Sequence, residues 1–340
     1  MKSIVYRKTG DPSVLELVDK EIPEPGPGEV RVRVLVSGVN PTDWKNRSGA
    51  TAQMAFPEVT PHQDGAGVID AVGPDTDGLA VGDRVWVFLA AHGRPHGTAQ
   101  EYTVVPADRV VKLPDGVPFE VGAALGVPAM TAHRALTVAE NGPRRLEPGA
   151  LAGLTVLVAG GAGAVGHAAI QLARWAGATV ITTISGPEKA RLAGAAGAHH
   201  VVNYREAGAA EAIRAHAPDG VDVIIEVAPA ANLDLDLAVL RNAGTIAIYA
   251  NNGGSTLSLD VRRNMVLNTR VQFLLLYTVG EQALRAAAED ITAALRDGAL
   301  PVGAEHGLPV VRFPLEATAD AHAAVEHDAV GKILIDVAER

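Results

Sequence analysis

Between residues 30 and 105, apolar and charged positions alternate in short runs. Val30-Arg31-Val32-Arg33-Val34-Leu35-Val36 sets its valines on one side of an extended chain and its arginines on the other, which is the pattern of a half-buried strand. A Pro/Gly turn cluster, Pro23-Glu24-Pro25-Gly26-Pro27-Gly28, precedes it. Stretches 67–73, 83–88 and 101–105 predict further short strands bounded by Gly, Asp or Pro, a spacing that suits an irregular antiparallel barrel. The texture changes near residue 128. Thr155-Val156-Leu157-Val158-Ala159 is a near-continuous apolar run, as a strand buried on both faces requires. Helical spacing follows through Val165, Ala168, Ala169, Leu172 and Ala173 to Gly177. Strands are then expected at 179–185, 201–202, 222–227, 245–249 and 271–277, with a helix at 187–195. This β-α-β alternation predicts an α/β fold with a doubly wound parallel sheet. Residues 281–297 read as an Ala-rich helix and 331–337 as a last strand.

The segment Gly160-Gly161-Ala162-Gly163-Ala164-Val165-Gly166 lies between the 155–159 strand and the following helix, and contains G-x-G-x-x-G at Gly161, Gly163 and Gly166. Strand before and helix after are the context that gives this motif meaning. Glycines permit a tight turn and close approach of backbone to a pyrophosphate, and the helix N-terminus offers free N–H groups and its positive dipole end. A dinucleotide is therefore expected on Gly161, Ala162, Gly163, Ala164, Val165 and Gly166. The second strand decides which one. An NAD site usually ends that strand with Asp or Glu to hold the ribose 2′-OH. Here the strand ends Ile184-Ser185-Gly186, and Lys189 and Arg191 follow. A hydroxyl with nearby cations suits a 2′-phosphate, so NADPH is expected. Ser185 and Glu188 also fit an S-x-x-E capping box that needs no ligand, and Lys189 and Arg191 could be solvated.

Composition narrows the chemistry. The 340 residues suggest two domains. There is no cysteine, so a disulfide scaffold, a thiolate nucleophile and any zinc site with a Cys ligand are excluded. The net charge of −10 and the 4% of aromatic residues disfavour nucleic-acid binding, and the charge disfavours an anionic membrane surface. No apolar run is long enough to span a bilayer and no signal-type stretch opens the chain, so a cytoplasmic protein is expected.

Several segments together resemble the zinc-free quinone oxidoreductases, the zeta-crystallin-like branch of the medium-chain dehydrogenase/reductase superfamily. Gly38-Val39-Asn40-Pro41-Thr42-Asp43 is similar to that branch's G-V-N-P-x-D segment. Gln63-Asp64-Gly65-Ala66-Gly67 is similar to the G-H-E-x-x-G region, with Gln63 where a zinc-binding His would stand, and Asn40 stands where zinc enzymes carry a Cys ligand. Gly97-Thr98-Ala99-Gln100-Glu101-Tyr102 resembles G-x-x-A-E-Y, and Asn203-Tyr204-Arg205-Glu206 resembles N-Y-R-E. The resemblance implies a GroES-like β-barrel catalytic domain from residues 1–127 and 280–340, with a Rossmann-type domain, 128–279, inserted. It implies that Lys189 and Tyr204, with Ser185, hold the NADPH 2′-phosphate, that Thr131 and Asn251 approach the cofactor, and that Lys332 lies in a C-terminal segment returning to it. It also implies a homodimer paired through the 271–277 edge strand; an apolar edge such as Phe273-Leu274-Leu275-Leu276 needs covering.

A quinone accepts hydride readily without a Lewis acid. An α,β-unsaturated carbonyl needs a donor at the oxygen where charge develops. By family position that donor is Asn40, with packing before Pro41 as its plainer reading. Trp44, His62, His92, Phe273 and Tyr277 are candidates to line the substrate pocket, and His62 and His92 could donate a proton. Asp64 reads as holding a hinge or a backbone turn rather than as an acid. The other histidines lack metal-ligand spacing: His92 and His96 sit among Gly and Pro, and His322 and His327 are five apart. No metal is expected. An enoyl-thioester reductase and a non-catalytic NADPH-binding protein are the alternative functions.

Overall fold

The computed structural model describes residues 1–51 and 53–338. The chain forms two compact units: residues 1–127 with 310–340, and residues 128–309. In chain order the first unit contributes β1 (Lys2–Val5), β2 (Glu16–Asp19), β3 (Glu29–Val39), α1 (Pro41–Ser48), β4 (Asp64–Val72), β5 (Arg84–Val87), β6 (Tyr102–Pro106), β7 (Val110–Lys112) and the start of α2 (Phe119–Leu136). The second unit holds β8 (Thr155–Ala159), α3 (Ala164–Trp175), β9 (Thr179–Ile184), α4 (Pro187–Ala195), β10 (His200–Asn203) and α5 (Ala209–His216). It continues with β11 (Val221–Glu226), α6 (Pro229–Val239), β12 (Leu240–Ile248), α7 (Val261–Leu267), β13 (Arg270–Phe273) and α8 (Glu281–Arg296). The chain then returns to the first unit through β14 (Val310–Pro314), α9 (Thr318–Glu326) and β15 (Lys332–Asp336).

The first unit's main sheet runs β14-β15-β3-β4-β5-β7, with β6 also paired to β3. β3 carries the alternation read from sequence: Val30, Val32 and Val34 are buried, the first two beside Ile69, Val85 and Val105, while Arg31 forks onto Asp70 at 2.9 and 3.1 Å. Its far end meets β15, where Ile333 and Ile335 join Ile4, Val34 and Val39 in a second cluster. β3 therefore brings the Asn40 segment against the Lys332 segment, almost 300 residues away in sequence.

The second unit is a six-stranded parallel sheet in the order β10-β9-β8-β11-β12-β13. The order reverses between β8 and β11, the switch point where open α/β sheets bind ligands at the carboxyl ends of their strands. The central strands β8, β9 and β11 are buried on both faces, as their Val and Ile runs require.

Two expectations change. Residues 280–309 belong to the second unit, not to the barrel with which they were grouped. The reason is Asp290 on α8: it accepts from His133 Nε2 at 2.7 Å, from Leu146 N at 2.7 Å, and from Arg145, all in that unit. The expected 271–277 strand is also shorter. β13 ends at Phe273, Leu274 N still donates to Ile248 O at 2.7 Å, and residues 276–278 turn into a single 3₁₀ turn. β12 ends at Ile248, so no partner backbone remains to pair.

Candidate functional site

In the second unit the Gly-rich segment is the turn from β8 into α3, as its sequence context predicts. Gly160 has φ +71°, a left-handed conformation that favours glycine. A Cβ on Gly161 would lie 2.1 Å from Thr182 Oγ1, and one on Gly166 would lie 2.4 Å from Gly160 O. Strand, turn and helix thus pack closer than side chains allow. Gly163 differs: it is exposed, it is the N-cap of α3, and a Cβ there would have nothing nearer than 3.5 Å. No side chain caps α3. The first-turn N–H groups beside Ala162, Ala164 and Val165 and the positive dipole end are left for an anion.

The end of β9 lies on the neighbouring strand. Asn203 pairs with Ile184, and Tyr204 N donates to Ile184 O at 3.1 Å, which sets Tyr204 beside Ser185. The Tyr204 ring is 42% exposed and Lys189 is exposed on the first turn of α4. The Ser185–Glu188 capping box does not form. α4 starts at Pro187, with Gly186 as N-cap and no side-chain cap; proline's fixed φ begins the helix without help. Ser185, Lys189 and Tyr204 thus lie on neighbouring segments at the end of β9, which carries no acid. Asn251 is exposed in the loop after β12, and Thr131 is buried on α2. These residues fit a nicotinamide dinucleotide: Gly161 and Gly166 let strand, turn and helix close up, Gly163 leaves the open side of the turn clear, and the helix end above it is uncapped.

The first unit holds a buried polar network around Asn40. α1 starts at Pro41, and Asp43 reaches back to accept from Asn40 N at 2.7 Å. The Asn40 side chain is gripped at both ends. Its Oδ1 accepts from Lys332 Nζ at 2.6 Å, and its Nδ2 donates to Asp64 Oδ2 at 2.7 Å. Lys332 Nζ also donates to Val39 O at 3.1 Å, and Asp64 accepts from Val127 N at 2.9 and 3.0 Å. Asp64 thereby holds α2 at its kink, where Gly126 is non-helical and a Cβ would sit 2.0 Å from Asp64 Oδ1. Burial pushes the Asp64 carboxyl up to about 6, against the pull of Lys332 and the Asn40 and Val127 donors. Burial and the Asp64 charge push Asp43 up to about 8. Burial drives Lys332 below its usual value, opposed by Asp64 and Asp43.

Lys332, expected at the cofactor, is 2% exposed, and two of its three ammonium hydrogens go to Val39 O and Asn40 Oδ1. Asn40, also 2% exposed, retains one uncommitted amide hydrogen on Nδ2.

His62 was expected to line a pocket, but it is wholly buried with φ +80°. Thr98 Oγ1 donates to Asp64 O at 2.5 Å, so Ser37 Oγ must donate to Thr98 Oγ1 at 2.7 Å. Ser37 then accepts from His62 Nδ1 at 2.8 Å, and His62 Nε2 accepts from His322 Nε2 at 2.9 Å. Donor count alone fixes both tautomers. Burial, together with the charge of His322 on His62 and of Arg47 on His322, holds both imidazoles neutral. His62 has no face for substrate.

Trp44, on α1, is half-buried with Lys45 Nζ 5.8 Å from its ring centroid. His92 is half-buried, and burial and Arg109 lower its pKa. Phe273 is 62% exposed on β13 and Tyr277 lies in the 276–278 turn, both in the second unit. Among the described residues, no three His, Cys, Asp or Glu side chains converge as metal ligands, and no helix is long and apolar enough to cross a membrane.

Residues 26–115 match the alcohol dehydrogenase GroES-like domain, and residues 164–293 match the zinc-binding dehydrogenase family. The human quinone oxidoreductase is 32% identical over 341 residues, covering 98% of this chain and 97% of that protein. The chain belongs to the quinone oxidoreductase branch of the medium-chain dehydrogenases/reductases. A 2-haloacrylate reductase of a Burkholderia species is 29% identical over 95% of this chain and 94% of its own. A mycobacterial protein of known structure, complexed with NADPH, superimposes with a TM-score of 0.81 at 30% identity, over 98% of this chain and 99% of that one. The GroES-like match covers the Asn40 segment, and the dehydrogenase match begins within the Gly-rich turn. Sequence reading missed the partners of Asn40. Asp43 had a signal, the N-x-x-D spacing of a helix start. The links to Lys332 and from His62 to His322 had none, because they join residues roughly 260–290 positions apart in sequence.

Proposed function

We propose that the protein is a zinc-independent, NADPH-dependent reductase that delivers hydride to a quinone or an α,β-unsaturated carbonyl. The observation that carries the cofactor choice is the end of β9, where no acid ends the strand and Ser185, Lys189 and Tyr204 lie on neighbouring segments. Lys189 would pair with the 2′-phosphate, with the Ser185 and Tyr204 hydroxyls as further donors. Gly161, Ala162, Gly163, Ala164, Val165 and Gly166 would take the pyrophosphate, and Thr131 and Asn251 would flank the rest. When bound, NADPH supplies hydride from its dihydronicotinamide ring.

What remains for the protein is to hold the acceptor's carbonyl oxygen while negative charge builds on it. Asn40 is placed for this. Lys332 withdraws electron density through Oδ1, and Asp64 fixes the amide plane through one Nδ2 hydrogen. The second Nδ2 hydrogen becomes a stronger, pre-oriented donor. Trp44, His92, Phe273 and Tyr277 remain the proposed substrate-binding side chains. Asn40 and Gln63 stand where zinc relatives place ligands, and neither is a good zinc donor. The relative named for 2-haloacrylate, itself an activated alkene, supports the enone arm.

We further propose a homodimer through β13. This strand ends the sheet, and Phe273 and Leu275 are exposed beside Val261, Met265 and Val266 of α7, an apolar edge that needs a cover.

NADPH oxidation with a 1,4-quinone and, in parallel, a small enone, each in EDTA and each compared with NADH, tests the reading. Turnover with NADPH that is insensitive to EDTA and weak with NADH is expected. NADPH binding with neither acceptor reduced would overturn it.

A further inference from the structure

The turn that carries Tyr204 is tied by a side chain outside the proposed cofactor contacts. Asn203 is the last residue of β10, and residues 203–206 form a β-turn. Glu206 N donates to Asn203 O at 3.1 Å, and Tyr204 and Arg205, at the two corners, both keep negative φ. The Asn203 side chain closes the turn with both ends of its amide. Its Oδ1 accepts from Arg205 N at 3.1 Å, and its Nδ2 donates to Glu206 Oε1 at 2.7 Å. Asparagine suits the first position of such a turn because its short side chain reaches the backbone two residues on. An aspartate would make that first bond and repel Glu206; only the amide makes both.

We propose that Asn203 is a positioning residue that sets coenzyme specificity: it fixes the turn presenting Tyr204 at the end of β9, and it keeps the Glu206 carboxylate away from a 2′-phosphate. The inference rests on the NADPH reading above.

The ladder fixes where the turn begins. Asn203 pairs with Ile184, and Tyr204 N donates to Ile184 O at 3.1 Å. Beyond that bond the backbone leaves the sheet, and the Asn203 amide is what holds Arg205 and Glu206. Glu206 is the one acid of the turn, it is exposed, and it stands two residues from Tyr204. Released from Asn203, its carboxylate would reach the side of the turn that faces the end of β9. There it would repel a phosphate and compete for the Lys189 ammonium. Both effects penalise NADPH. Neither touches NADH, which has a plain 2′-hydroxyl. The same bonds that shape the turn therefore bear on one nucleotide and not the other.

Titrations of NADPH and NADH against wild type, Asn203→Ala and Glu206→Gln, with amide hydrogen exchange of the cofactor-free proteins alongside, test the inference. Asn203→Ala should weaken NADPH about tenfold and leave NADH within about twofold. Its Arg205 and Glu206 amides should exchange faster than in the wild type. Glu206→Gln keeps an oxygen for Asn203 Nδ2 and removes the charge, so it should bind NADPH no more weakly than the wild type. An Asn203→Ala variant that binds NADPH like the wild type, or that loses both nucleotides equally, overturns the specificity role. Unchanged exchange at the turn overturns the positioning. A Glu206→Gln variant as weak as Asn203→Ala overturns the part given to the acid. If the wild type binds the two nucleotides alike, the NADPH reading itself falls, and the exchange rates still decide whether Asn203 holds the turn.

Discussion

Replacing Lys332 by methionine removes a buried ammonium and keeps most of its aliphatic stem. The loss can be sized from its surroundings. The ammonium donates to Asn40 Oδ1 at 2.6 Å and to Val39 O at 3.1 Å, and it faces Asp64 and Asp43. Removing one partner from a buried charge cluster costs about 3–5 kcal/mol, because the remaining charge is left uncompensated. The size of the loss depends on pH. Asp64 and Asp43 sit at about 6 and about 8, above their unfolded values. The folded state therefore holds extra protons over those windows, and their contribution to stability is present at low pH and lost as pH rises through each value. Without Lys332 both carboxyls rise further, so the variant's deficit should widen towards alkaline pH. At about pH 8.5 we expect close to the full 3–5 kcal/mol; at about pH 5.5, with both acids largely protonated, the deficit falls towards the roughly 1–2 kcal/mol of the lost hydrogen bonds. For a unit of this size each kcal/mol shifts Tm by about 2–4 °C. Thermal unfolding of wild type and Lys332→Met across that range, followed by circular dichroism, reads the difference. A deficit that is constant with pH, or that is absent at the alkaline end, refutes the charge-compensation argument.

Three further outcomes follow from the same geometry. Asn40→Ala should cut kcat for an enone by about 10²-fold while leaving the NADPH Kd near wild type, and should cost a quinone less; equal losses for the two acceptors in steady-state assays would remove Asn40 from the reaction. Lys189→Ala should weaken NADPH by roughly 10–100-fold and leave NADH unchanged, as loss of a charge-assisted contact predicts; calorimetric titration of both nucleotides decides. Phe273→Asp should yield monomers in sedimentation, since a charge on the β13 edge opposes pairing, and an unchanged dimer would place the interface elsewhere.

The elements that could be read from sequence were those whose pattern is local. β3 announces itself because Val30, Val32 and Val34 alternate with Arg31 and Arg33, and the cofactor turn because its glycines fall between an apolar run and a helix. The Phe273-Leu274-Leu275-Leu276 run reads as one strand, and its in-and-out alternation does persist: Leu276 is buried while Phe273 and Leu275 face outward. What ends the strand is the length of β12, which no window around residue 274 contains. The same holds for α8. Its composition predicts a helix, but its allegiance to the second unit depends on Asp290 finding His133 and Arg145 about 150 positions earlier.

The Asn40 network shows why distance in sequence matters for chemistry as well as for fold. Asn40 stands where zinc relatives place a ligand, and a lone asparagine there is a weak donor. On the reading proposed above, Lys332, carried to it by the antiparallel pairing of β15 with β3, would strengthen it as a donor. The ammonium needs Asp64 to be tolerable in the interior, and Asp64 in turn holds Val127 at the kink of α2, the last residue before the chain enters the second unit. A change at Lys332 should therefore register in three readouts at once: the amide's power to polarise a carbonyl, the protonation of Asp64, and the set of the helix that joins the two units. The Lys332 ammonium places a positive charge against Asn40, and the fold buries the Asp64 and Asp43 carboxyl groups in the same network.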